Sequence, residues 1–138
     1  MKKFELFEHG ADIGVRGFGK TMNQAFENAA LAMFSIEVLD IEDLVATCFW
    51  QLSCESYDQE ALLTAWLNTL ISYADLYRVV FCSFDVTIAD CTLTARVGGV
   101  PLNELHGEKG VEVKGATFTE LYVSQRDDAW IAQCVVDV

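Results

Sequence analysis

Apolar residues recur along this chain with two different periods, and each change of period marks the edge of an element. Phe4 to about His9 and Ile13 to about Phe18 read as two short strands, with His9-Gly10-Ala11-Asp12 as their connection. Thr21-Met22-Asn23-Gln24 has capping-box spacing: the Thr hydroxyl accepts from the Gln24 amide and the Gln24 side chain reaches back to the cap amide. From there Met22, Ala25, Phe26, Ala29, Ala30, Met33 and Phe34 recur at three and four residues, which predicts a helix with one broad apolar stripe. Leu44 to Ser53 is short and rich in β-branched, aromatic and Cys residues, so it reads as a strand. Ser56-Tyr57-Asp58-Gln59 repeats the capping pattern, and Leu62, Leu63, Trp66, Leu67, Leu70, Ile71 and Ala74 form the stripe of a second helix.

Beyond these helices the period falls to two. Val79 to Phe81 are apolar, and Phe84, Val86 and Ile88 then alternate with polar residues. The apolar parity slips from even to odd at Cys91, Leu93, Ala95 and Val97, which places a hairpin turn or bulge at Ala89-Asp90. Gly98 to Gly110 carries four glycines, the only proline and His106, and reads as the most mobile surface connection. Val111 to Ala116, Leu121 to Ser124 and Trp130 to Val138 complete the strands, the last two joined by a hairpin over Gln125-Arg126-Asp127-Asp128. The expected architecture is one α+β domain over residues 1–138, a two-layer fold with two amphipathic helices on a mostly antiparallel or mixed sheet.

Composition narrows the functional classes. The 138 residues are 52% hydrophobic, enough for one core. The net charge of -12 repels nucleic acid, so direct RNA or DNA binding is not expected; an acidic surface suits hard divalent cations or a basic protein partner. Five cysteines, with no CxxC spacing and within apolar segments, read as reduced core residues. With neither a signal-peptide run nor a stretch of about 20 apolar residues, the expectation is a soluble, cytoplasmic protein without a membrane partner.

GxSxG, P-loop and HExxH signatures are all missing, which argues against the familiar hydrolase and kinase classes. His9 and Asp12 are the one His/carboxylate cluster; Asp12 can equally stabilise a turn, and His9 can close a strand. The last strand ends on the Asp137 side chain and the Val138 α-carboxylate, and Asp137 can equally point to solvent. If Asp12, Asp137 and that carboxylate converge, they repel one another unless a cation intervenes, and an oxygen-only set suits Ca²⁺ or Mg²⁺ over Zn²⁺.

Five blocks, in order and spanning nearly the whole chain, resemble the archease family. His9-Gly10-Ala11-Asp12-Ile13-Gly14 resembles its HTADIG, Ala25 to Phe34 its first helix, and Leu62-Leu63 through Trp66-Leu67-Asn68 its second. Val113 to Phe118 resembles its VKAxTY segment and Trp130 to Val138 its closing W-x-A-x-VVDV strand. Gly10 replaces the family's usual threonine and Phe118 its usual tyrosine, neither of them a proposed metal ligand. The resemblance implies a non-enzymatic accessory factor that activates a GTP-dependent tRNA-splicing or RNA-repair ligase, promoting guanylylation of the ligase histidine and repeated turnover. It implies a divalent cation, calcium first with magnesium or manganese as alternatives, held by Asp12, Asp137 and Val138. His9 becomes a neighbour that orients the site, and Lys114 a partner-facing residue. The competing expectations are an independent metal-dependent phosphoesterase with His9 as base, and a metal-free interaction domain.

Overall fold

The computed structural model describes all 138 residues. Its strands are β1 (Phe4–His9), β2 (Asp12–Gly19), β3 (Cys48–Glu55), β4 (Val79–Ala89), β5 (Thr92–Pro101), β6 (Gly115–Ala116), β7 (Tyr122–Arg126) and β8 (Ala129–Asp137). The helices are α1 (Met22–Glu37) and α2 (Gln59–Tyr77), with single 3-10 turns at Ile41–Asp43 and Leu102–Glu104.

The α+β class and antiparallel pairing hold, but the strands divide into two sheets. In the first, β8 is central: β2 and then β1 lie on one side, and its other edge is covered in succession by β6 and β7. Backbone bonds from Thr117 to Val135 and from Val135 to Thr119 fill the gap between those two short strands. The second sheet runs β3-β5-β4. Helix α1 packs on β2 and β8 and alongside β4, and α2 packs on members of both sheets, so one continuous core joins them.

Local chemistry explains the boundaries. Thr21 caps α1 by accepting from Gln24 N at 3.1 Å, as its spacing predicts, but the Gln24 side chain takes the Lys20 amide instead of the cap's own. The cap of α2 is Asp58, whose carboxylate accepts from Ala61 N at 2.7 Å; Ser56 donates its amide to Cys91 at the β4-β5 tip instead. A charged acceptor is the stronger cap, and the helix starts two residues later than the Ser56 pattern implies. The third strand is displaced likewise: Leu44–Thr47 lie outside β3, which begins at Cys48.

The parity slip has the predicted cause. A two-residue turn, Asp90-Cys91, joins Ala89 to its partner Thr92, with Asp90 left-handed at φ 55. Even residues of β4 therefore face odd residues of β5: Phe84 opposes Val97, Val86 opposes Ala95 and Ile88 opposes Leu93. A bulge between Phe81 and Ser83 shifts the register once more.

Two expectations fail downstream. Gly98 to Pro101 is not a surface connection but the inner end of β5, where Gly98, Gly99 and Val100 are buried. A Cβ on Gly98 would lie 2.7 Å from the Phe49 ring, so these glycines permit close packing. Conversely, Val111 to Lys114 is not strand; only Gly115-Ala116 pairs with β8. Residues 108–113 instead lie against the end of α1, where Gly110 and Val111 amides satisfy the Glu37 and Ile36 carbonyls that the helix leaves without partners.

The five cysteines are free, as expected, but only Cys134 is fully buried; burial pushes its thiol up to about 12. No helix is long and apolar enough to cross a membrane.

Candidate functional site

The β1-β2 turn and the end of β8 meet because β2 lies between β1 and β8. His9 pairs with Asp12 across a two-residue turn in which Gly10 is left-handed at φ +60, a conformation that costs glycine little and other residues more. On the next strand Ile13 pairs with Val136, so one step outward Asp12 stands opposite Asp137. Asp137 in turn pairs with Gly115 of β6. Directly opposed residues share a face, with Cβ atoms about 4.5–5.5 Å apart. His9, Asp12, Asp137 and Gly115 thus form a row across the end of four strands. On the glycine member, a Cβ would lie 4.0 Å from Asp137 Oδ2 and 3.8 Å from Asn68 Oδ1.

Secondary contacts hold this row. Lys114 N donates to the Asp137 carbonyl at 2.8 Å. Asn68, on α2, binds both sides of Ala116, accepting from its amide at 2.9 Å and donating to its carbonyl at 3.1 Å, which closes the free edge of β6. Two residues inward, on the same face, the Phe7 ring occupies the space above Gly14, where a Cβ would lie 2.1 Å from it. The row is therefore open to solvent outside and bounded by an aromatic ring inside. Val138 packs against the core, which restrains the carboxylate beyond it.

Asp12 and His9 are half-buried, and Asp137 and Lys114 are exposed. Neither aspartate has a cationic partner, because both ion pairs of the molecule, from Lys2 and Arg16, end on Glu5. The Lys114 ammonium likewise joins none. Nowhere in the chain do three His, Cys, Asp or Glu side chains converge as a metal-binding group. The oxygen set expected here has two such side chains, and its third member is the main-chain carboxylate of Val138. Its chemistry, hard and anionic, fits calcium or magnesium.

Three residues with no role in the sequence reading complete the frame. Asn23 and Glu27 of α1 accept from the Ile88 and Val86 amides at 3.1 and 2.8 Å, covering the outer edge of β4. Glu37, at the end of α1, accepts from Val113 N at 2.8 Å. The signal available was weak: polar residues beside an apolar stripe are ordinary for a surface helix. Burial pushes the Glu37 carboxyl up, against the Val113 amide, and the Asp75 and Glu112 charges add to the rise. Burial likewise raises Glu27, opposed by the Val86 amide and reinforced by Asp85.

A carboxyl raised in the folded state holds its proton to higher pH than in the unfolded chain. The stability it contributes is complete below the unfolded value of 4.5 and is lost as pH rises through the folded value. Glu37→Gln retains an acceptor for Val113 and removes the titration. Its stability relative to the parent should increase between pH 4 and pH 7 in urea melts; a difference independent of pH would refute the assignment.

Residues 4–138 match the model of the Archease protein family (MTH1598/TM1083). The protein archease of Sulfurisphaera tokodaii is 34% identical over 140 residues, and that of Thermococcus kodakarensis 35% over 143, each covering all of both chains. The solution structure of Methanobacterium thermoautotrophicum protein 1598 superimposes with a TM-score of 0.85 at 32% identity over the full length of both chains. A Thermotoga maritima crystal structure, described as an archease and possible chaperone, shares the fold with a TM-score of 0.66 at 18% identity, covering 96% of this chain and 94% of that one. On sequence and fold together, the chain belongs to the archease family.

Proposed function

We propose that this protein is a non-enzymatic accessory factor of a GTP-dependent RNA ligase acting in tRNA splicing or RNA repair. In this reading it promotes guanylylation of the ligase's active-site histidine and lets the ligase turn over repeatedly. The observation that carries the proposal is the row His9–Asp12–Asp137 at one end of the first sheet, in a chain of net charge -12 and archease family membership. A possible chaperone is also how the Thermotoga maritima relative is described, in keeping with action on another protein.

The residues divide the work. Asp12, Asp137 and the Val138 carboxylate would hold a divalent cation, calcium first and magnesium or manganese next; when bound, the ion supplies positive charge that phosphate oxygens can approach. His9 orients Asp12 across the turn. The acidic surface steers the row toward a basic cleft, where phosphate-binding groups are found, and accelerates encounter at low salt. Lys114 stands beside Asp137 and faces the partner.

The test is ligation by the cognate ligase under single-turnover and multiple-turnover conditions. Asp12→Ala and Asp137→Ala remove one half-buried and one exposed carboxylate, neither in an ion pair, and should keep the parent melting temperature while lowering multiple-turnover stimulation by more than about ten-fold, the scale on which metal-site changes act. Undiminished stimulation by both variants would sink the proposal. Phosphoester cleavage by the isolated protein, abolished by Asp12→Ala, would replace it with the hydrolase reading. Stimulation unchanged by chelator, with no heat of Ca²⁺ or Mg²⁺ binding, would leave a metal-free interaction domain.

A further inference from the structure

A cavity of about 410 Å³ opens between the C-terminal ends of α1 and α2, the start of β4 and residues 102–113. Most of its lining residues are apolar, Phe34, Ile71, Ala74, Val79 and Val113 among them. Its rim includes Leu102 and Val111, and Leu39 lies beside it, packed near Gly110; these are 39%, 51% and 56% exposed. Exposed aliphatic side chains around an apolar hollow are the usual signature of a binding surface, since a fold has no internal reason to leave them wet together.

The mouth also has a sign. Glu37, Asp75 and Glu112 line it and none has an ion pair, although Arg78 and Lys109 line the same cavity. Asp75 and Glu112 both act on Glu37 as like charges, and these three acids outnumber the two cations in the lining. Over the whole molecule the acids exceed the bases by 12. An uncharged apolar ligand would leave these carboxylates uncompensated, and an acidic one would be repelled.

We propose that this cavity is a docking pocket for a protein segment in which a branched aliphatic side chain is followed directly by Lys or Arg. The aliphatic side chain fills the hollow between the helix ends, and the cation lies against Glu37, Asp75 and Glu112. Val113 lines the pocket and the amide of the next residue, Lys114, donates to the Asp137 carbonyl, so the pocket wall leads directly to the acidic row. Part of the pocket wall, residues 108–113, is tied to α1 by the Gly110, Val111 and Val113 bonds, so the site is already shaped before its occupant arrives.

Titration of the isotope-labelled chain with Ac-Gly-Leu-Arg-Gly-NH2, followed by amide NMR shifts, tests the pocket directly. Saturable shifts are expected at Val79, Val111 and Val113. Exchanging Leu for Ser, or Arg for Glu, should weaken binding by at least about ten-fold, one 1.4 kcal/mol step each. Val111→Asp and Glu112→Lys change exposed positions, should leave the melting temperature unaltered, and should each weaken the Leu-Arg peptide to a similar degree. Absence of saturable shifts at the pocket, or equal response to all three peptides, would overturn the proposal. The experiment contains neither ligase nor cation, so its failure leaves the accessory-factor reading standing.

Discussion

Replacing Trp66 with Ala lowers the unfolding free energy by about 3–5 kcal/mol, a large share of the roughly 5–15 kcal/mol that domains possess. Trp66 is fully buried on α2, and its ring meets the edge of Phe84 on β4 at 6.1 Å between centroids. Its indole Nε1 donates to the Phe26 carbonyl on α1 at 3.1 Å. One side chain therefore joins both helices to the second sheet. Removing it deletes buried apolar area, a hydrogen bond and the filling of a space that surrounding elements cannot all collapse into. Trp66→Phe, which retains an aromatic ring, should lose less. Urea melts at pH 7 give the comparison; a loss under about 1.5 kcal/mol for the alanine variant would mean that the three elements are not coupled through this residue.

The second large effect is expected at Gly17, where a single methyl group should dislodge α1. A Cβ there would lie 2.2 Å from Ala29 N and 2.3 Å from Ala25 O, distances that real Cβ atoms do not adopt. The obstruction is helix backbone, so no side-chain rotation relieves it, and α1 must rise from β2. That shift also strains the 2.6 Å bond from Asn28 to the Phe18 carbonyl. Overpacking of this kind costs about 1–3 kcal/mol and occasionally more. Gly10→Ala supplies the contrast: no atom lies within 4 Å of the added methyl, and only the left-handed φ of +60 opposes it, at about 1–2 kcal/mol. If Gly10→Ala proves the more damaging variant, the close approach of α1 to β2 is wrong.

Particular residues show why some features were legible and others were not. The α1 and α2 stripes were readable because a helix that buries one face must repeat its apolar residues every three to four positions, and Phe26, Phe34, Leu62 and Trp66 do so. The β4-β5 hairpin was readable from its change of parity. The Ser56 cap was misread because Asp58, two residues on, is a competing and stronger acceptor, and the bond from the Ser56 amide to Cys91, which ties Ser56 to the β4-β5 tip, is not visible in the local pattern. The inner end of β5 was misread because Gly98 and Gly99 signal a turn by composition, whereas here they admit the Phe49 and Phe81 rings.

The sequence by itself determined the α+β class, the two amphipathic helices and the acidic balance, because these depend on local periodicity and on charge. It also marked His9, Asp12, Asp137 and Lys114, by residue type and family pattern. Their assembly lay beyond local pattern: Asp12 faces Asp137 only because β2 pairs with β8 across more than a hundred residues in one particular register. A shift of one residue would turn one aspartate to the opposite face. The pocket at the helix ends is likewise a tertiary product, since α1, α2, β4 and residues 102–113 contribute to it from four separate parts of the chain. Such separations leave no spacing to read, and packing alone fixes where those groups meet.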